Sequence, residues 1–154
     1  MLAVFDIDGV VADVRHRLHH LEHWHAWDEF FDAAQDDPLL DEGLRLVTDL
    51  KREHDVVWLT GRPEWLRGVT ERWLRAHDLP AHEVHMRPSG DYRPARFYRL
   101  DVLRELRPRG VAALIDDDDE VVQAARHAGF PAVLADWVPC NRVLRRAQER
   151  DGRT

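Results

Sequence analysis

Five short apolar runs alternate with stretches of helical periodicity, and each run ends on charged or hydroxyl-bearing residues. The runs are Leu2–Phe5, Asp55–Thr60, Glu83–Met86, Val111–Ile115 and Pro131–Ala135. A short run without polar alternation suits a strand covered on both faces. Parallel strands need long crossovers, and the intervening segments supply them. Leu40, Leu44, Val47 and Leu50 lie at helical spacing before the second run, and Trp65, Val69 and Trp73 after it. Tyr98, Val102 and Leu106 precede the fourth; Val121, Val122 and Ala125 follow it, closed by Gly129. The pattern predicts an α/β fold: one doubly wound, parallel five-stranded sheet in a 154-residue chain. Residues 14–38 break the alternation and predict a small helical insert after the first strand. The domain is expected to span 1–137. Residues 138–154 are expected to form a tail, helical over Asn141–Arg150, with frayed last residues.

In an open α/β sheet the ligand lies beyond the carboxyl ends of the strands. Asp6 and Asp8 follow the first run, inside "VFDIDGVVAD". Thr60, Gly61 and Arg62 close the second. An arginine-rich stretch holding Arg87, Arg93, Arg96 and Arg99 follows the third, and Asp116–Asp119 follow the fourth. Side chains two apart in extended backbone share a face, so Asp6 and Asp8 look into one site. Without a cation they would repel. Acids from two strand ends facing a hydroxyl and basic groups from two others is the layout of a Mg²⁺ site opposite a phosphate site. Asp118 or Asp119 is expected to cap the following helix.

The net charge of −7 argues against broad, non-specific nucleic-acid binding, while leaving room for a local basic groove. The basic residues are arginine except for Lys51. A single cysteine, Cys140, excludes an internal disulfide and reads as a bystander. With no long apolar run and no leader pattern, the expectation is a cytoplasmic protein without a membrane partner. His16, His19, His20, His23 and His25 tempt a zinc reading, but no HExxH motif or third ligand accompanies them, and a polar face is expected. Trp24, Trp27 and Phe30 read as insert packing, with base stacking as the alternative. Arg142, Arg145, Arg146 and Arg150 read as a solvated face. No P-loop is present, so no kinase of that type.

Four motifs in order carry a family resemblance: DxDG at 6–9, TGR at 60–62, the basic region, and IDDD at 115–118. The chain resembles the haloacid dehalogenase-like (HAD) phosphatases. "DIDGVVADVRHRL", "LTGRPEW", "HMRPSGDYRP" and "LIDDDDEVVQAARHAGF" are similar to the phosphatase domain of polynucleotide kinase-phosphatases. The resemblance implies Mg²⁺-dependent removal of 3′-phosphates from nucleic-acid ends. It implies Asp6 as nucleophile, Asp8 as general acid/base and Thr60 as a phosphoryl-binding group. It gives Asp116 and Asp117 the metal and Arg17 and Arg62 the substrate site; Asp6 and Asp8 are expected to join the metal residues, Gly61 and Arg93 the substrate residues, and Arg99 the catalytic ones. The third motif usually holds a lysine with a carboxylate four residues earlier; here the positions are Arg99 and Ala95. Arg99 keeps the charge with a planar, bidentate geometry, and Asp101 is a candidate for the absent acid. A phosphorylated substrate is the expected partner, with a separate kinase or ligase as a possible one. A nucleotide or small-molecule phosphatase and a non-catalytic binding domain are the alternatives.

Overall fold

The computed structural model describes residues 1–154. The strands are β1 (Leu2–Phe5), β2 (Asp55–Pro63), β3 (Val84–Arg87), β4 (Val111–Asp116) and β5 (Ala132–Leu134). They form one parallel sheet in the order β3-β2-β1-β4-β5. The helices are α1 (His19–Glu22), α2 (Trp27–Asp32), α3 (Asp41–Leu50), α4 (Arg67–Ala76), α5 (Ala95–Leu106), α6 (Asp119–His127) and α7 (Arg142–Glu149). The expected doubly wound α/β architecture is therefore present.

Alternation along β1 splits the core. Ala3 and Phe5 face a cluster with Val47 of α3, Trp73 and Leu74 of α4, and Phe30 and Phe31 of the insert. Leu2 and Val4 face the other cluster, with Leu103 of α5 and Val122 of α6. Burying apolar side chains on both faces is why β1 carries no polar residue until its end. Alternate residues of β2 divide in the same way: Val56 and Trp58 join the first cluster, Val57 and Leu59 the second.

Chain connections from β1 run outward through β2 to β3, then resume on the opposite side with β4 and β5. The direction changes between β1 and β4, which leaves a crevice at their carboxyl ends. β2 runs longer than expected, through Gly61 and Arg62 to Pro63, and its register against β3 shifts between Leu59 and Pro63. The insert over 14–38 forms α1 and α2 with short 3-10 turns beside them, as expected.

The helix expected over Asn141–Arg150 is present as α7, but its burial and the residues after it depart from expectation. Asn141 caps α7, its side chain accepting from the Val143 and Leu144 N–H groups. Leu144 and Ala147 of α7 are buried in the first cluster. Beyond it the chain does not fray: Gly152 turns at φ +59° and Thr154 is 2% exposed. No helix is long and apolar enough to cross a membrane.

Candidate active site

The switch point brings acids together from β1 and β4. The Asp6 N–H donates to the Ile115 carbonyl at 2.9 Å, which ties the two strand ends side by side. One carboxylate oxygen from each of Asp6, Asp116 and Asp117 lies within 4.8 Å of the others. Gly9 turns the chain out of the site at φ +77°. A Cβ there would stand 2.4 Å from Asp117 Oδ2, so a side chain would displace that acid.

Arg99 enters from the first turns of α5. Its Nη2 donates to Asp6 Oδ2 at 2.9 Å, and its Nη1 to Asp116 Oδ2 at 2.7 Å and the Leu59 carbonyl at 2.8 Å. The Asp118 N–H donates to Asp116 Oδ1 at 2.9 Å. Gln148 of α7 donates to Asp117 Oδ1 at 3.3 Å, and Arg145 Nη2 to the Asp117 carbonyl at 2.8 Å. Asp6 Oδ1, on a residue with no exposed surface, has no partner.

Three carboxylates thus face one guanidinium. Burial raises the Asp6 pKa, with Arg99 opposing. Burial also raises Asp116 well above the carboxylate range, against the pull of Arg99. Burial and the Asp6 charge push Asp117 up to about 8. For Arg99, burial disfavours charge, but Asp116 and Asp6 outweigh it and raise its pKa.

Asp8 sits in a different company. Its Oδ1 accepts from Arg62 Nε at 2.9 Å, Arg62 Nη2 at 2.6 Å and Arg17 Nη2 at 3.1 Å. Its Oδ2 accepts from the Thr154 hydroxyl at 3.1 Å. Burial alone would raise its pKa, yet Arg62 and Arg17 hold it down at about 2. The two arginines share a second acid, Asp37. It accepts from Arg17 Nε at 2.8 Å, Arg17 Nη2 at 2.9 Å and Arg62 Nη2 at 2.8 Å, and pairs with His16 Nε2 at 2.7 Å. The Arg17 guanidinium also lies 4.3 Å from the Phe30 ring centroid. Thr60 is buried beside this cluster, its hydroxyl accepting from the Arg62 N–H at 3.3 Å.

Asp6, Asp116, Asp117 and Arg99 therefore converge, and Asp8, Thr60, Arg17 and Arg62 adjoin them. Four expectations are corrected, for Asp8, Arg93, Asp101 and Arg145. The Asp8 carboxylate is not among the converging acids, because two arginines draw it away. Arg93 does not reach the site: it is half exposed and bound to Asp91 at 2.8 Å and Asp101 at 2.9 Å. That pairing also removes Asp101 as the acid for Arg99, a place taken by Asp116. Phe30 is buried under Arg17, which leaves no open face for a base. Asp118, rather than Asp119, caps α6 through the Glu120 N–H. Arg145 is bound to Asp118 at 2.9 Å instead of standing in solvent.

Sequence reasoning missed Asp37, Gln148 and Thr154, and named Arg87 without giving it a role. Arg87 ends β3 and was legible by position. It is 2% exposed, donates to the Gly61 carbonyl at 3.3 Å and the Arg93 carbonyl at 2.9 Å, and keeps Nη2 without a partner.

A model of the family described as the polynucleotide kinase PNKP phosphatase domain matches residues 1–136. A curated relative from Halalkalibacterium halodurans, described as "Putative nucleotidase BH1399", is 26% identical over 100 residues. The match covers 64% of this chain and 46% of that protein. Among solved structures, a chain of the "Pnkp1/Rnl/Hen1 complex" is 25% identical with a TM-score of 0.70. It is matched over 86% of this chain and 45% of that one. The haloacid dehalogenase-like hydrolase SP0104 from Streptococcus pneumoniae shares the fold, with a TM-score of 0.64 at 12% identity. That match covers 97% and 91% of the two chains. This chain spans about half the length of the first two relatives.

Proposed function

The chain belongs to the family of polynucleotide kinase phosphatase domains, and from that premise we propose that it is a Mg²⁺-dependent phosphomonoesterase acting on the 3′-phosphate ends of nucleic acid. Residues 1–137 are the phosphatase domain in this reading, with 138–154 packed onto it. The observation that carries the proposal is Asp6 Oδ1: a buried carboxylate oxygen with no protein partner, beside two further carboxylates.

Those carboxylates fit a divalent cation. The donor set is hard oxygen, and three acids against one arginine cannot all ionise until a further cation joins them. Asp6, Asp116 and Asp117 would hold Mg²⁺, whose chemistry when bound is to neutralise charge on the phosphoryl oxygens. The Asp6 carboxylate attacks phosphorus in line, forming an aspartyl-phosphate as the bond to the leaving oxygen breaks. Arg99 holds Asp6 at the correct angle and faces the equatorial oxygens with Thr60.

Asp8 serves as general acid and then as base toward water. At rest it is held ionised by Arg17 and Arg62. An arriving phosphate dianion gives those arginines a second anion to bind. Their loosened hold on Asp8 lets it take a proton from solvent, which passes to the leaving oxygen as its bond to phosphorus breaks; Asp8, ionised again, then accepts the proton of the water that cleaves the aspartyl-phosphate.

The nucleotidase reading is the alternative, favoured by the net charge of −7 and by the curated relative. The relative in a complex with Rnl and Hen1 supports work beside a separate kinase or ligase. The experiment is a phosphate-release screen with Mg²⁺ on a 3′-phosphorylated oligonucleotide, its 5′-phosphorylated counterpart and free nucleotides. Preference for the 3′-phosphorylated oligonucleotide is expected. Preference for free nucleotides would favour the alternative, and no release from any of them would remove both.

A further inference from the structure

Beside the phosphoryl site lies a cavity of about 210 Å³ between the insert, the end of β2 and the loop that follows β3. Its walls include the aromatic residues Trp27, Phe31, Trp65 and Tyr92, and Arg87 lines it. Trp65 and Tyr92 are more than half exposed and stand in the wall of the same cavity. Arg87 is the reverse: a buried cation whose Nη2 has no partner. Burial and the nearby Arg99 charge lower its pKa to about 10, although Asp91 lies 3.7 Å from its Nη1.

The segment after α7 forms part of this cavity's wall through Gly152 and Arg153. The Arg153 guanidinium lies 4.6 Å from the Tyr92 ring centroid and 5.3 Å from that of Trp27. The next residue, Thr154, reaches the phosphoryl site, where its hydroxyl donates to Asp8. Thr154 rests directly on Gly61: a Cβ at Gly61 would stand 1.9 Å from the Thr154 carbonyl carbon. Gly61 links the two places, since its carbonyl also accepts from Arg87. A planar cation on aromatic faces thus continues into a polar group on the catalytic acid. A nucleotide has the same plan, with a flat base joined to a phosphate.

Resting on the phosphatase reading above, we propose that this cavity binds the nucleotide bearing the scissile phosphate or its neighbour. Trp27 and Tyr92 are the faces for the base, and Arg87 Nη2 is the donor to a phosphate oxygen. Arg153 covers those two faces when substrate is absent, and Thr154 holds Asp8, so substrate and this segment compete.

The test uses the full chain and three substrates: a short 3′-phosphorylated oligonucleotide, adenosine 3′-monophosphate, and glycerol phosphate, which has no ring. Tyr92→Ala should raise KM for both nucleotide substrates about five- to a hundredfold, the range for losing one stacked base. It should leave kcat, and all constants for glycerol phosphate, unchanged. Trp27→Ala should act the same way, and Arg153→Ala should lower KM for the nucleotides. Arg87→Gln should weaken the oligonucleotide more than the mononucleotide if the natural ligand is a polymer end, and both equally if it is a free nucleotide. Equal effects of Tyr92→Ala on all three substrates, or none, would overturn the proposal, as would an unchanged or raised KM in Arg153→Ala. If wild type releases phosphate from none of them, the phosphatase reading fails on its own. Quenching of tryptophan fluorescence by adenosine 3′-monophosphate then still decides the cavity: quenching lost in Tyr92→Ala supports it, and absence of quenching in wild type refutes it.

Discussion

Two buried groups of carboxylates and arginines lie side by side at the end of the sheet, and they are opposites. Around Asp8 and Asp37, two acids meet Arg17 and Arg62, and every carboxylate oxygen has a partner. Around Asp6, three acids meet Arg99, with Arg145 reaching only the Asp117 carbonyl, and Asp6 Oδ1 has no partner. Both are shielded from water, where an unmatched charge is costly. The first is therefore complete as a protein structure. The second is not: its acids outnumber the cation they share. The contrast separates the residues that hold the site from those that do its work.

The largest expected effect falls on the open group. Asp6→Asn should fold and lose turnover altogether, because an amide nitrogen or oxygen does not replace the attacking carboxylate. Phosphate release, with mass spectrometry to exclude deamidation, checks this. Full activity in Asp6→Asn would move the nucleophile elsewhere. Next is Arg99→Ala, expected to cut kcat/KM by about 10²–10³, the scale for losing one preorganised charge-stabilising donor. Arg99→Lys should recover part of it, since charge returns without the two-pronged geometry that spans Asp6 and Asp116.

Stability should distinguish the groups by sign. Asp37→Ala leaves Arg17 and Arg62 short of an acid, and should cost about 3–5 kcal/mol in denaturant melts. Asp117→Asn removes one of three crowded acids and should raise the melting temperature of the metal-free protein. A loss of stability in metal-free Asp117→Asn would mean that the open group is balanced after all.

A smaller effect separates them by pH. Asp8 is held at about 2, below its ordinary value of 3.8, so its contribution is present above pH 3.8 and lost as pH falls through 2. Asp117 is raised to about 8, so its contribution is present below pH 3.8 and lost as pH rises through 8. Metal-free protein should lose stability on both sides, and Asp117→Asn should flatten the alkaline limb alone. Melts across pH in chelator read both limbs.

What the sequence disclosed follows from this division. β1, β2 and β4 stood out because strands buried on both faces leave unbroken apolar runs. Asp6, Thr60 and Asp116 stood out because the chain turns polar where those runs stop. Arg99 was found by its place at the start of α5. Asp37 left no such mark: it lies in a loop after the insert, and the packing of Phe30 and Phe31 decides that it meets Arg17. The residues after α7 misled by composition. Arginine, aspartate and glycine suggest a solvated end, yet the turn at Gly152 and the bare face of Gly61 let Thr154 pack inside.

The account rests on the open group taking up a divalent cation, and calorimetric titration of Mg²⁺ at pH 7 in two buffers of different ionisation enthalpy tests it most directly. A ligand acid raised to about 8 is mostly protonated at that pH and must give up its proton to bind metal. Saturable binding of Mg²⁺ with measurable proton release is the predicted result, with the release lost in Asp117→Asn. No binding, or binding without proton release that Asp117→Asn leaves unchanged, would contradict it.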